Sequence, residues 1–206
     1  MSIAVGHRQS AKRAQIASAA RTLFLTHGFA GTSMDAVTAQ AGVSKQTLYR
    51  YFPTKVALLG EILYGGLGKL VLDSPDLDRV NTLDDLRASL VEFSVMVTHS
   101  LMKPEAVALV RLVLGEAFRV DELRKAFRDA LPGQMLVRTE VLIRHAAALG
   151  LIATDDPGLT TRMFVGPLMT YVALDGFLSI APSQPPARAE LERVVDAFLA
   201  GVEVHP

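Results

Sequence analysis

The sequence contains no cysteine and no tryptophan in its 206 residues. The absence of cysteine excludes disulfide bonds, thiolate metal sites and cysteine nucleophiles. Neither sign of charge is in excess, because 21 basic side chains balance 21 acidic ones. Half of the residues are hydrophobic, which is typical of a folded globular chain and not of a disordered one.

Long hydrophobic runs are also missing. The longest weakly polar stretch covers residues 163–182, but Gly166 and Pro167 interrupt it and Asp175 lies within it. A membrane-spanning helix needs about 20 mainly apolar residues, so we expect this stretch to contact protein and not lipid. The first 13 residues include three basic side chains with no apolar run after them. No secretory signal is therefore predicted, and a cytoplasmic location is expected.

The balanced charge hides an uneven distribution along the chain. Residues 1–56 carry seven basic side chains and one acidic side chain, a net charge of +6, whereas the other 150 residues carry 14 basic and 20 acidic ones. A basic module joined to an acidic remainder indicates that the module meets a polyanion such as nucleic acid. The division predicts an N-terminal domain at residues 1–56 and a second domain at residues 57–206.

Apolar residues recur every three or four positions through most of the chain, and no strand-like alternation competes with this pattern, so the predicted fold class is all-α. We expect Gly28 to end the first helix in a left-handed conformation. Pro132-Gly133 should break a long helix, because proline lacks an amide hydrogen. The predicted helices cover residues 10–26, 34–41, 45–51, 55–72, 83–101, a segment beginning at 104, 121–149, 160–180 and a last helix that contains 191–202.

The stretch from Thr32 to Lys55 reads TSMDAVTAQAGVSKQTLYRYFPTK and predicts two short helices joined by a turn with a glycine. In the second helix, Val43, Leu48 and Phe52 are expected to point inward. The opposite face is left with cationic and hydrogen-bonding groups, as a recognition helix requires. These outward residues are Lys45, Gln46, Thr47, Tyr49 and Arg50. The alternative is that two short polar-faced helices merely pack on a larger bundle.

The run from Phe24 to Lys55 resembles the signature of the TetR/AcrR family of transcriptional regulators. This resemblance implies an N-terminal three-helix helix-turn-helix domain that binds DNA, joined to a C-terminal helical bundle for ligand binding and dimerisation. It implies a homodimeric regulator and not an enzyme, with a palindromic double-stranded DNA operator as its partner. Tyr51 departs from the pattern, since the family often has histidine there. The implied DNA contacts are Thr32, Ser33, Ser44, Lys45, Gln46, Thr47, Tyr49, Arg50, Tyr51 and Lys55.

A small, mainly apolar effector is expected among the central helices of the second domain, and dimer contacts are expected from residues 160–180 and 191–202. No cofactor is expected, and no metal, because none of the five histidines forms an i, i+4 pair. The competing hypothesis is an all-α small-molecule-binding protein or enzyme whose basic module does not bind DNA. The expected ligand-binding residues are Phe93, Met96, Val97, Leu112, Phe127 and Met135.

Overall fold

The computed structural model describes residues 2–67, 76–130, 132–181 and 183–202. Within these ranges the secondary structure is helical and contains no strand, which confirms the predicted all-α fold class. A 3-10 turn at Leu77–Arg79 and a π-helical segment at Tyr171–Phe177 accompany the α-helices. The α-helices are α1 (Ser2–Gly31), α2 (Met34–Ala41), α3 (Lys45–Tyr51), α4 (Lys55–Leu67), α5 (Leu83–Leu101), α6 (Pro104–Ala117), α7 (Asp121–Ala130), α8 (Pro132–Ala148), α9 (Pro157–Thr170) and α10 (Arg188–Ala200).

Local signals predicted several of these boundaries. The predicted bounds of α3 and α5 are confirmed, and the break before Pro132 separates α7 from α8. Helix α1 begins earlier than predicted and continues to Gly31, but Gly28 interrupts it with φ 74° and ψ 167°. Only glycine adopts this conformation without strain, so the predicted break at Gly28 is present inside the longer helix. The predicted continuation of α4 to residue 72 lies partly outside the described residues.

The predicted helix over residues 160–180 differs from the observed one. It begins earlier, at Pro157, because the Asp156 side chain accepts a hydrogen bond from the backbone N–H of Leu159 and caps the helix. Its α-helical part ends at Thr170, one turn after Pro167, and the chain continues as the π-helical segment. Since Pro167 has no amide hydrogen, it cannot make the i→i−4 bond that a regular helix requires there.

The chain divides into two compact units, which are described separately. The first unit comprises Met1–Gly68 and Ala108–Ala130. Its core holds Phe24, Leu48 and Phe52, each at most 1% exposed. Helix α4 packs against both α1 and α7. This division differs from the expected boundary after residue 56, because contacts along α4 group the whole helix, together with residues 108–130, with the N-terminal helices.

The second unit comprises Lys69–Val107 and Leu131–Pro206. Helix α5 packs against α10, and α8 packs against α9. The ring of Phe164 is fully buried, 6.0 Å from the ring of Phe93 on α5 and 5.2 Å from that of Phe198 on α10. Arg87 adds a two-pronged ion pair to Asp196, with N–O distances of 2.6 and 2.9 Å. These contacts fix α5, α9 and α10 to one another.

Candidate functional site

The outer face of α3 is the first candidate site. Leu48 and Phe52 on its inner face are 0% and 1% exposed, and Val43 is half-buried. The Ser44 hydroxyl oxygen accepts a hydrogen bond from the Thr47 amide at 3.1 Å, which caps the helix. The helix is therefore held in place from one side only. Its other side exposes four of the predicted residues, namely Lys45, Gln46, Tyr49 and Arg50, while Thr47 is half-buried.

Helix α2 and the turn support α3. Ser33 caps α2, since its side-chain oxygen accepts a hydrogen bond from the Ala36 amide at 3.0 Å. Gly42 closes α2 with φ 60°, a left-handed conformation that suits glycine. Lys45 forms an ion pair with Asp35 at 2.7 Å, and this hydrogen-bonded carboxylate raises the pKa of Lys45. Because this pair joins α2 to α3, it adds to the cap in orienting the recognition helix.

The side chains of two predicted DNA-contact residues make hydrogen bonds within the first unit. Thr32 is 3% exposed, and its hydroxyl lies 2.8 Å from the carbonyl oxygen of Gly28 and 3.2 Å from that of Leu23. Lys55 donates from Nζ to the carbonyl oxygens of Phe29 at 2.7 Å and of Thr32 at 2.9 Å. Its ammonium also lies 4.4 Å from the centre of the Phe29 ring. Both side chains therefore connect the start of α4 and the turn before α2 to the end of α1.

A concavity of about 360 Å³ brings several predicted residues together beside α2 and α3. Its cationic groups face a single acidic residue, Asp35, which Lys45 neutralises. Arg50 lies outside it and stacks over the ring of Tyr51, 5.2 Å from the ring centre. A surface of this kind provides cations and hydrogen-bond donors for phosphate groups. The concavity is lined by Thr32, Ser33, Met34, Asp35, Lys45, Tyr49 and Lys55.

A larger cavity of about 570 Å³ lies in the second unit, between α5, α8 and the 3-10 turn. One stripe of α5 faces it, at spacings of three and four residues from Asp85 to Met96. Its volume is within the range of about 300–1,000 Å³ that is common for small-molecule sites. The lining residues are Asp76, Arg79, Asp85, Ala88, Ser89, Leu90, Glu92, Phe93, Met96, Arg138, Thr139 and Leu142.

The six predicted ligand-binding residues are not all in this cavity. Phe93 and Met96 line it. Val97 and Met135 belong to the same unit but are buried, at 1% and 0% exposed, and they do not line the cavity. The remaining two, Leu112 and Phe127, belong to the first unit.

Sequence reasoning missed the α8 wall of the cavity, which consists of Arg138, Thr139 and Leu142. A signal for it was present, because three polar residues, Arg138, Thr139 and Glu140, stand side by side within the otherwise apolar run MLVRTEVLI. Two more charged residues at the cavity edge, Asp76 and Arg79, precede α5. They belong to no helical repeat of apolar residues, so the sequence pattern did not predict their position.

In the described part of the chain, no helix combines the length and the hydrophobicity that a membrane span needs. No group of three or more histidine or acidic side chains able to hold a metal ion occurs there either. The expected absence of cofactor and metal stays an expectation.

Comparison with known proteins gives matches along nearly the whole chain. Residues 16–62 match the family model of bacterial regulatory proteins of the tetR family. Residues 88–201, more than half of the chain, match the C-terminal domain of AefR-like transcriptional repressors. The two matches fall on the helix-turn-helix and on the helices that carry the larger cavity.

Individual relatives are also transcriptional regulators. MftR of Mycobacterium tuberculosis is 36% identical over 92 residues, which are 44% of this chain and 46% of MftR, so the match spans about half of that relative. The transcriptional repressor KstR2 of Rhodococcus jostii is 28% identical over 131 residues, 61% of this chain and 64% of KstR2. Among solved structures, the flavonoid-responsive regulator FrrA is 28% identical with a TM-score of 0.75, covering 96% of this chain and all of the FrrA chain.

These matches decide between the two hypotheses left by the sequence. The helix-turn-helix is the DNA-binding part of a regulator, and the chain is not an enzyme. The capped helix α3, its exposed polar face and the two family matches together mean that this chain belongs to the TetR family of bacterial transcriptional regulators.

Proposed function

We propose that the chain is a homodimeric repressor that binds a palindromic DNA operator and is released by a small, mainly apolar effector. Residues 1–56 would form the DNA-binding domain and residues 57–206 the ligand-binding and dimerisation domain. The observation that carries the proposal is the outer face of α3, whose exposed polar side chains stand on a helix fixed by a cap and by buried Leu48 and Phe52. The net charge of +6 on residues 1–56 supports the same function.

Within this proposal, Gln46 and Arg50 read base edges, because amide and guanidinium groups can each make paired hydrogen bonds in the major groove. Lys45 approaches the backbone phosphates as a point charge. The Ser33 hydroxyl accepts from Ala36 and keeps its own hydrogen available for a phosphate oxygen. The remaining proposed contacts are Ser44, Thr47, Tyr49 and Tyr51.

The roles of Thr32 and Lys55 differ from those implied by the family signature. The hydroxyl hydrogen of Thr32 is directed at backbone carbonyls of α1, so we leave Thr32 outside the proposed contact set. Lys55 has three ammonium hydrogens and uses two on carbonyl oxygens, which leaves one for a phosphate. The main proposed role of Lys55 is to stabilise the fold of the first unit.

The dimer interface is proposed on α9 and the π-helical segment. The sequence also predicts dimer contacts from residues 191–202, but Leu191 and Val195 of α10 are fully buried within the chain, so the proposal leaves these two side chains out. In contrast, α9 exposes Leu159 and Met163, each 55% exposed, and the next segment exposes Leu174 at 59%. An exposed apolar face of this length favours a protein contact. A two-fold dimer would hold its recognition helices about 34–36 Å apart.

The effector is proposed to bind in the cavity between α5 and α8. Its volume of about 570 Å³ suits one small molecule, and Phe93 and Met96 offer apolar contacts. FrrA is named as flavonoid-responsive, and this supports a ligand-responsive role for a relative of the same fold. KstR2 is named as a repressor, which supports repression as the outcome of DNA binding. Since the operator would be chromosomal DNA, we propose a cytoplasmic location.

Selection of bound duplexes from a randomised DNA pool tests the DNA-binding part. We expect the purified chain to enrich an inverted repeat whose half-sites are one helical turn apart. A Gln46→Ala, Arg50→Ala double variant should bind DNA without enriching that repeat. Enrichment of one unrepeated half-site would contradict the palindrome, and failure to enrich any sequence would contradict the function.

Thermodynamic linkage tests the release mechanism. If the effector weakens operator binding about 100-fold, the coupling is about 2.7 kcal/mol, and operator must weaken effector binding by the same factor. Calorimetric titration of an effector with and without saturating operator measures both constants. Equal effector affinities in the two titrations would reject allosteric release even if DNA binding itself were established.

A further inference from the structure

The α8 wall of the cavity contains two polar atoms without partners. Nη1 of Arg138 and Oγ1 of Thr139 are enclosed, and neither has a hydrogen-bond partner in the part of the chain that the structure describes. Thr139 is only 3% exposed. Both residues line the cavity. A buried polar group without a hydrogen bond costs free energy, and such groups are rare in folded proteins. A ligand in the cavity that accepts hydrogen bonds from these two atoms would remove that cost.

The orientation of Thr139 is unlike that of other helical hydroxyl groups in this chain. Ser94, Thr98 and Thr161 each donate to the carbonyl oxygen four residues earlier, at 2.7–2.8 Å. This bond is available to any serine or threonine within a helix. Since the Thr139 hydroxyl does not make it, its hydrogen is left for a group inside the cavity.

The other charged groups along the cavity already have partners. Arg79 pairs with Asp76 at 3.2 Å. Glu92 accepts from Arg188 at 2.8 Å. Asp85 accepts from the hydroxyl and the amide of Thr82 at 2.7 and 2.9 Å, and these bonds lower its pKa, so it stays ionised and satisfied. Among the charged residues that line the cavity, Arg138 is the one with an enclosed nitrogen that has no hydrogen-bond partner in the described part of the chain.

The rest of the lining is apolar except for Ser89. Phe93 and Met96 come from α5 and Leu142 from α8, with Ala88 and Leu90 beside them. Phe93 is supported from behind by the buried ring of Phe164 at 6.0 Å. The cavity thus offers one cationic and one hydroxyl donor on α8. The α5 side contributes the apolar Phe93 and Met96 together with Asp85, Glu92 and Ser89.

We propose that the effector is a monocarboxylate with an apolar aliphatic or aromatic body, and that Arg138 and Thr139 bind its carboxylate. This inference rests on the proposed effector function of the same cavity. A carboxylate offers two oxygens to two donors on neighbouring residues, and a hydrogen bond between guanidinium and carboxylate is stronger than one to a neutral acceptor. A cationic ligand would find its potential partners already occupied and would be repelled by Arg138.

Matched pairs of acids and neutral analogues test this class. The probes are the straight-chain acids from hexanoate to dodecanoate with the alcohols of equal chain length, and benzoate and 2-naphthoate with their primary amides, titrated calorimetrically into the full chain at neutral pH. We expect the best carboxylate to bind at least about tenfold more tightly than its neutral analogue. Arg138→Met should remove that preference while leaving the affinity for the neutral analogue unchanged.

The controls separate charge recognition from a structural role. Arg79→Met removes a cation that lines the same cavity but is paired with Asp76, and it should keep the preference. Arg138→Lys keeps the positive charge but loses the planar guanidinium, so this variant should keep part of the preference for the carboxylate. Thr139→Val should weaken carboxylate binding a few-fold yet raise Tm of the ligand-free protein by about 2–4 °C, because it removes an unpaired buried hydroxyl. A purely structural role for Thr139 would not give opposite effects on affinity and stability.

Each outcome bears on a defined claim. Equal affinities for acid and neutral analogue, or a preference that survives Arg138→Met, would overturn the carboxylate proposal and leave a neutral effector in the cavity. A chain that binds DNA but none of the matched pairs would overturn both the carboxylate and the proposed effector site. If Arg138→Met does not fold, the Thr139→Val and Arg138→Lys titrations still decide the question.

Discussion

The two units differ in the exposure of the polar groups that are proposed to bind partners. On α3, Gln46 and Arg50 are exposed to water. On α8, polar atoms of Arg138 and Thr139 are enclosed without partners, while apolar Leu174 on the π-helical segment is 59% exposed. A polar side chain in water costs nothing while it awaits a partner, whereas a buried unpaired group or an exposed apolar face remains costly until it is covered. The second unit is therefore the part whose stability should depend on its partners.

This difference has a direct thermodynamic consequence. A ligand or partner subunit that binds only the folded chain stabilises it by an amount that grows with the logarithm of its concentration. We expect that effect for the cavity between α5 and α8 and for the outer face of α9, because each contains groups that binding would satisfy. The first unit has its caps and ion pairs in place without DNA.

The largest effect is expected from charge on the exposed face of the second unit. Leu174→Asp should convert the proposed dimer to monomers, because a carboxylate from each subunit would be buried in the proposed interface. Loss of the second half-site contact should lower operator affinity by at least about 100-fold. Light scattering measures the mass, and fluorescence anisotropy with labelled operator measures the affinity.

The control for this variant is Phe118→Asp. Phe118 is 81% exposed but lies in the first unit, outside the proposed interface. It should leave mass and affinity unchanged. By contrast, Phe198→Asp should destabilise the subunit itself, because Phe198 packs 5.2 Å from the buried ring of Phe164. A Leu174→Asp protein that remains dimeric would show that the exposed apolar face has another function.

A smaller effect is expected at the two residues of α3 that are proposed to read bases. Arg50→Ala and Gln46→Ala should each cost about 1–3 kcal/mol at particular base pairs of the operator. Neither change should alter the free energy of unfolding, because both side chains are exposed. Competition against single-base variants of the operator locates the affected positions. A uniform loss across all operator variants would instead assign these residues to phosphate contacts.

The two lysines of the first unit should respond differently to the same substitution. Lys55→Met should lower the free energy of unfolding by about 1–2 kcal/mol, because it removes hydrogen bonds to two carbonyl oxygens and the contact with the Phe29 ring. Lys45→Met should leave stability nearly unchanged, since its ion pair is exposed. Lys45→Met should instead reduce the slope of log K against log[salt] for DNA binding by about one, because one phosphate contact is lost. Urea denaturation and salt titration distinguish the two roles, and equal stability of both variants would refute the structural role of Lys55.

How far the sequence alone predicted the molecule depends on how local each feature is. The break at Gly28 and the interruption at Pro132 are determined by neighbouring residues, and both were predicted. The faces of long helices were harder. Phe93 and Val97 both fit the apolar spacing of α5, but only contacts with distant segments decide that Phe93 lines the cavity while Val97 is buried.

The same limit explains the other differences. Apolar residues recur both in α10 and in the π-helical segment after α9. Leu191 is buried and Leu174 is exposed, and this difference depends on contacts with residues that are distant in the sequence. The hydrogen bonds of Lys55 join residues 23 and 26 positions apart. No periodicity over a short window contains that information. The DNA-binding motif was predictable because its chemistry is compressed into one continuous stretch of the chain.

The smallest effect is expected from the cap of α5 at the edge of the cavity. The carboxylate of Asp85 accepts hydrogen bonds from the hydroxyl of Thr82 and from the amides of Asn81 and Thr82, and these bonds lower its pKa below the usual range. Because the pKa is lower in the folded chain, the stabilisation is complete above about pH 4, the ordinary range of an unfolded aspartate, and is lost as the pH falls through the lowered value. Asp85→Asn should therefore be less stable than the original chain at pH 6, and the difference should shrink toward pH 3. The matched control is Asp84→Asn, which removes an exposed carboxylate from the same helical turn without removing the hydrogen bonds that Asp85 accepts from Asn81 and Thr82. Urea denaturation followed by circular dichroism at several pH values measures this. If the difference for Asp85→Asn were constant over that range, the carboxylate charge would not be what caps the helix.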